Sequence, residues 1–229
     1  MKIYTDNIGE VQLIDSMGDD LAVVNAARNS YGAYKDALEA KDERLIRRLV
    51  KDSHWSPFEH CFVKFWIVAP IPISKQHMRH RSWSFSEISR RFTSSNIEIY
   101  VPEGFRTQHK TNHQGSNLDS INPMLTIGTL TATAVEHYRK SCTDSIEVYD
   151  SLLEAGVCRE QARFVLPQAL YTNFTASCSL RSLLHFIDLR SASDAQWEIQ
   201  KVSDAMLSLV EDQFPLCIKF FKEKNDGLL

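Results

Sequence analysis

Residues 61–68 restrict the fold more than any other stretch. Cys61, Val63, Phe65 and Ile67 fall on one side of an alternating run, with Phe62, Lys64 and Trp66 on the other. Alternation that is largely apolar on both sides predicts a strand with both faces covered. Further strands are predicted at 11–14, 98–101 and 170–178. Helical spacing fills the intervals. Gly18, Asp19 and Asp20 form a turn and cap before Leu21, Val24 and Ala27, a helix that ends near Ser30, Tyr31 and Gly32. Leu45, Ile46, Leu49 and Val50 make one face of a helix over 41–51. Pro70 and Pro72 turn the chain into a short helix over 73–80. The longest helical pattern runs over 129–155 and stops at Gly156; shorter ones carry Arg159, Glu160 and Arg163, then 180–190, then 194–212 before Pro215. Residues 103–123 are polar and without period, a surface loop or a mobile lid. The predicted class is α+β, a small antiparallel sheet surrounded by helices. With no repeat and no dividing linker, residues 1–229 read as one domain.

Composition narrows the function. A net charge of -3 sets up no global field toward nucleic acid or membrane, so any attraction for anions is local. No segment approaches the ~20 apolar residues that span a bilayer, and the N-terminal residues lack the apolar run of a signal peptide. Five scattered cysteines without a CxxC pair read as reduced and mostly buried, hence a cytoplasmic protein. His54, Glu59 and His60 have the wrong spacing for a metal site, and no metal is expected.

Local charge concentrates over 79–91. Arg79, His80, Arg81, Arg90 and Arg91 alternate with Ser82, Ser84, Ser86 and Ser89, while Trp83, Phe85 and Ile88 supply anchors. Guanidinium forks match phosphate and carboxylate oxygens in pairs, and hydroxyls add directional bonds, so the segment reads as an anion receptor. Glu87 either neutralises an arginine or accepts hydrogen bonds from a ligand hydroxyl.

Arg79, His80 and Arg81, then seven intervening residues, then Ser89, closed by Arg91, resemble the signature of the flavin-dependent thymidylate synthases. The loop from His54 through Pro57 and Phe58 to His60 is similar to that family's upstream motif. Arg159 to Arg163, Leu166 and Pro167, Leu170 to Thr172, Arg181 to Leu183, Leu189 and Arg190, and Ala195 to Ile199 are similar to its C-terminal half. The resemblance implies methylation of dUMP with methylenetetrahydrofolate, with FAD as hydride carrier and NADPH as reductant. It implies nucleotide contacts from Gln76, Arg79, Glu87, Ser89, Arg91, Arg163 and Arg190. Arg190 takes the catalytic role of stabilising charge on the uracil ring. It implies FAD contacts from Ser30, His54, Ser56, Glu59, Arg79, His80, Arg81, Arg181 and His185. It also implies a homotetramer whose active sites are shared between subunits. The chain has no GxGxxG, so side chains rather than a glycine-rich turn must meet the diphosphate, and no Pro-Cys nucleophile. It departs from the family's usual residues at Lys75, Ser86, Arg90, Ser179 and Asp194.

Overall fold

A computed structural model describes residues 1–95 and 97–229. In chain order it contains β1 (Glu10–Met17), α1 (Asp20–Arg28), α2 (Ala40–Lys51), β2 (Phe62–Pro70), α3 (Ile71–His77), β3 (Ser84–Glu87), β4 (Phe105–Gln108), β5 (Ser116–Ile121), β6 (Met124–Ile127), β7 (Leu130–Thr133), α4 (Ala134–Glu154), α5 (Arg159–Ala162), β8 (Tyr171–Ser179), α6 (Leu180–Arg190), α7 (Trp197–Val210) and α8 (Pro215–Asn225). Four strands form an antiparallel sheet in the order β1-β2-β8-β3, and the other strands form two separate hairpins. The predicted α+β class stands.

Val63, Phe65, Ile67 and Ala69 of β2, with Phe174, Ala176 and Cys178 of β8, bury one face of the sheet against the core. The opposite face is open: Phe62 is 46% exposed and Lys64 is exposed, opposite Ser179 and Ser177 of β8. The expectation of two covered faces therefore fails, because apolar Phe62 and Trp66 share their side with Lys64 and with the polar residues of β8.

Three other differences have local causes. Residues 98–101 make only an isolated bridge, Ile99 to Leu170, since Pro102 has no N–H with which to extend a ladder. The supposed loop over 103–123 contains the β4–β5 hairpin. The helix expected from residue 129 begins at Ala134, where Thr133 and Glu136 form a reciprocal capping box, and the residues before it pair with β6 across Gly128, which has a φ of +63°.

Two buried carboxylates tie the first helices down. Asp20 accepts the N–H groups of Leu216 (2.7 Å) and Cys217 (3.0 Å), so a residue of α1 caps α8. Asp42 at the start of α2 accepts from Arg28 (2.6 Å) and Lys35 (2.7 Å). Burial would raise the Asp42 carboxyl, but Lys35, the Glu39 N–H and Arg28 outweigh it and hold it at about 2. All five cysteines are free thiols, and only Cys158 is exposed. Among the described residues, no helix is long and apolar enough to cross a membrane.

Candidate active site

The site is built around the end of α3. The helix stops at His77, not at His80, and the chain continues in tight turns, with His80 N–H bonded to the His77 carbonyl and Trp83 N–H to that of His80. The anchor is His77. Its ring lies wholly inside the protein, stacked on Phe186 at 4.3 Å and edge-on to Trp83, Phe85 and Phe174. Neither ring nitrogen has a hydrogen-bond partner, so burial drives its pKa well below the usual histidine value and keeps it neutral. With His77 and Trp83 pulled inward, Arg79 and Arg81 stand in solvent while His80 remains 9% exposed.

Arg190, the last residue of α6, reaches this turn. Its Nε donates to His80 Nε2 at 3.0 Å and its Nη2 points to the Gln76 carbonyl at 3.5 Å. A guanidinium only donates, so His80 Nε2 must be unprotonated, with its proton on Nδ1. Burial, then the Arg190 charge, then His185 lower the His80 pKa to about 4, in agreement with that tautomer. Burial, then the positive charge of Arg79, lower the Arg190 pKa from the ordinary guanidinium value.

His80 lies 6.3 Å from the ring of His185, which opens onto a cavity of about 600 Å³. Glu59, Arg181 and His185, read from the sequence as flavin contacts, line it together with Ser82 of the arginine-serine segment and with Ser53, Trp55 and Lys224, which were not among the candidate site residues. Glu59 is presented by a short 3-10 turn, Ser56–His60, anchored by buried Pro57 and Phe58, and it pairs with Arg181. Ser30, His54 and Ser56 are exposed outside this lining.

The remaining nucleotide candidates fall into two places. Glu87 accepts from Ser74, Thr172 and Lys75, each at 3.0 Å, so it neutralises a lysine rather than an arginine and holds α3 against β8. Ser89 Oγ accepts the Arg91 N–H, and Arg91 pairs with Glu160 of α5 at 3.2 Å, one turn before Arg163. Ser89, Arg91 and Arg163 thus belong to a second group, at α5.

The departures from the family's usual residues also find places. Lys75 binds Glu87, Ser179 caps α6 through the Ser182 N–H, Arg90 donates to the Ser95 carbonyl, and Ser86 lies exposed on β3 opposite Thr175. Asp194 lines a groove between the β4–β5 hairpin and the start of α7.

A family model described as thymidylate synthase complementing protein matches residues 12–216. The chain belongs to that family. A flavin-dependent thymidylate synthase of Thermus thermophilus is 41% identical over 215 residues, covering 94% of this chain and 76% of the relative. That of Thermosipho africanus is 38% identical over 214 residues, covering 93% and 90%. Among solved structures, the UMP/dUMP methylase PolB of Streptomyces cacaoi bound with 5-Br dUMP superposes with a TM-score of 0.77 at 31% identity, covering 93% of this chain and 94% of that one. The same enzyme bound with 5-Br UMP gives 0.76 at 32% identity.

Every candidate site residue read from the sequence falls within the matched span, whereas Lys224 of the cavity lies beyond it. Lys224 is placed by α8 packing on α2, a contact that no local pattern encodes.

The neutral His80 has a measurable consequence. Its folded-state pKa of about 4 lies below the ordinary 6.5, so the unfolded chain binds more protons between those values. Stability is complete above pH 6.5 and falls as pH drops toward 4, by roughly 3 kcal/mol for that separation. His77 adds to the loss in the same direction. Urea unfolding across this window should show a shallower acid decline in His80→Gln, which still offers Arg190 an acceptor but does not titrate.

Proposed function

We propose that this chain is a flavin-dependent thymidylate synthase that converts dUMP to dTMP, with methylenetetrahydrofolate as carbon donor and NADPH as reductant. The observation that carries the reading is Arg190, held by a neutral histidine acceptor and the Gln76 carbonyl beside Arg79. Methylation at carbon of a uracil ring pushes electron density onto the ring's nitrogen and oxygen. A guanidinium that stays protonated at working pH stabilises that density as it develops.

The cavity residues fit FAD. Arg181 and Lys224, with the hydroxyls of Ser53, Ser82 and Ser182, are donors suited to a diphosphate, and Trp55 offers an aromatic face. Bound there, FAD supplies the hydride. Arg181, His185 and Glu59 hold it within the cavity, with His80, Arg79 and Arg81 at the side facing Arg190, and the exposed Ser30, His54 and Ser56 reach it from outside the lining. Gln76, Arg79, Glu87, Ser89, Arg91, Arg163 and Arg190 hold dUMP. A route without a cysteine nucleophile is supported by the lack of a Pro-Cys pair. Four of the five thiols are also buried, and burial raises the pKa of each.

We read residues 1–229 as one catalytic domain, and the assembly as a homotetramer with shared sites. The second group of nucleotide residues at α5 supports that assembly, as do Met124, Ile127, Leu130, Val148 and Phe164, which are apolar and exposed. The free thiols favour a cytoplasmic setting.

The test is an absorption spectrum of purified protein supplied with FAD, then NADPH oxidation with and without dUMP and analysis of the nucleotide product. Flavin bands and dTMP formed only with every cosubstrate present are the expected results. Protein that stays colourless, or dUMP left unmethylated, overturns the reading. UMP in place of dUMP shows whether the ribonucleotide is also accepted.

A further inference from the structure

The groove between the β4–β5 hairpin and the start of α7 is separate from the flavin cavity and has a volume of about 620 Å³. Both of its walls are braced by side-chain amides. On the α7 side, Gln200 Nε2 donates to the carbonyls of Ala192 and Ala195, each at 2.9 Å, and so fixes the turn that carries Asp194. On the hairpin side, Gln108 Nε2 donates to the carbonyls of Asn112 (3.2 Å), His113 (3.4 Å) and Gly115 (3.0 Å). The same loop is held by His109 Nδ1, which accepts the N–H groups of Thr111 (3.3 Å) and Asn112 (3.0 Å). Asn112 Oδ1 accepts that of Gln114 (3.0 Å).

These bonds decide what each wall has left. A carbonyl is met only by the NH2 end of an amide, and Gln200 and Gln108 each serve at least two carbonyls, so both N–H bonds are used and Oε1 remains as an acceptor. His109 Nδ1 is unprotonated, which puts the proton on Nε2 as a donor, and Asn112 keeps its Nδ2 as a second donor. Among the described residues, no donor meets the exposed carboxylate of Asp194, which lines the groove. The one arginine of the described lining, Arg106, is bonded to both oxygens of buried Glu198 (2.9 and 2.7 Å) and to Ser116 (3.0 Å). The carboxylates of Glu198 and Asp194 outnumber its charge, so the groove does not favour a phosphate. Leu118, 88% exposed, adds an apolar surface.

A carboxylate beside fixed amide oxygens, with donors on the opposite wall, suits a flat ring that shows two N–H bonds side by side and a carbonyl next to them. We propose that this groove binds a ring carrying the 2-amino-4-oxopyrimidine edge, with Asp194 accepting its two parallel N–H bonds. Gln200 Oε1 is the acceptor for the remaining amino hydrogen, and His109 and Asn112 serve the ring's own acceptors. Adenine and cytosine carry no ring N–H beside the amino group. Uracil carries one N–H between two carbonyls, which would set oxygen against the carboxylate, so the groove is distinct in chemistry from the dUMP site. Pterins and guanine share the edge. Gln196 lines the groove and accepts from Gln76 of the nucleotide set, so a pterin held here lies beside the residues assigned to dUMP. The pterin source rests on the thymidylate synthase reading; the preference for the edge does not.

The experiment uses the FAD-loaded full chain, wild type against Asp194→Asn, which keeps the shape and removes one acceptor of the pair. Calorimetry measures binding of 6-hydroxymethylpterin, guanosine, adenosine and uridine, with FAD occupancy and thermal midpoint read on the same preparations. The wild type should bind at least one of the first two more than tenfold tighter than adenosine or uridine. Asp194→Asn should weaken that binding about ten- to hundredfold, the size of a hydrogen bond to a charged partner, with occupancy and midpoint held. A raised KM for methylenetetrahydrofolate in Asp194→Asn, beside an unchanged KM for dUMP, identifies the folate cosubstrate as the source. Guanosine binding with both KM values unchanged identifies a guanine compound instead. Wild-type protein that binds neither ring, or binds adenosine or uridine equally well, overturns the proposal, as does full binding by Asp194→Asn. Pterin or guanosine displaced by dUMP to the same degree in both proteins belongs to the nucleotide site and also overturns it. Should the midpoint of Asp194→Asn fall, the wild-type preference among the four rings decides alone. Wild-type protein that binds the ring but leaves dUMP unmethylated fails the functional reading and leaves the groove's assignment standing.

Discussion

Arg190→Ala is expected to lose methyl transfer by at least ~10²–10³-fold in kcat, the range seen when one preorganised donor to developing negative charge is removed. FAD should remain bound, because Arg190 is not part of the cavity lining formed by Arg181, His185 and Lys224. The effect falls on chemistry for a geometric reason. His80 Nε2 takes the Nε donor and the Gln76 carbonyl takes one Nη2 direction, which leaves the rest of the planar fork for the nucleotide in the reading proposed above. Arg190→Lys should not restore the rate, since an ammonium on a flexible stem cannot bond His80 and present a second, coplanar edge at once. Single-turnover product formation on flavin-loaded protein is the measurement. Turnover retained in Arg190→Ala removes this residue from the mechanism.

Phe186→Ala is the substitution with the largest expected cost to stability. The side chain is fully buried, its ring stacks on His77 at 4.3 Å, and it meets His80 at 4.9 Å and Trp83 at 5.5 Å. Removing it takes away a large apolar surface and leaves a void between α6 and the turn after α3, for a loss of ~3–5 kcal/mol. Domains of this size hold about 5–15 kcal/mol in total, so the variant sits near its folding limit. The void also opens water's path to His77, whose neutral ring depends on being dry. Urea unfolding at pH 7 should show a midpoint shifted strongly downward with an unchanged slope, and Phe186→Leu a smaller shift. A loss below about 1 kcal/mol would mean that the neighbouring rings collapse into the space.

What the sequence disclosed depended on whether a pattern was local. The helix over 180–190 was read to the residue, because its apolar spacing and the Ser179 cap lie within the segment itself. Phe62 and Trp66 misled, since the strand pattern gives hydrophobicity but not what stands opposite, and the residues opposite proved to be polar. β3 was hidden among the arginines and serines of the anion receptor; its pairing with β8 is made by backbone, which leaves no trace in side-chain type. The candidate site residues came from the resemblance carried by Arg79, His80, Arg81, Ser89 and Arg91. The partnerships among them were not legible. That His80 binds Arg190 and that Glu87 binds Lys75, Ser74 and Thr172 depends on contacts made across the fold.

The Asp20 carboxylate accepts its two backbone bonds from residues 196 and 197 positions further along the chain. Until Pro215–Asn225 has left the ribosome, that charge has no acceptor role to fill, and burying it unpartnered is costly. The amino-terminal helix therefore reaches its native place only when α8 docks on it, and the two ends of the described fold are secured in one event.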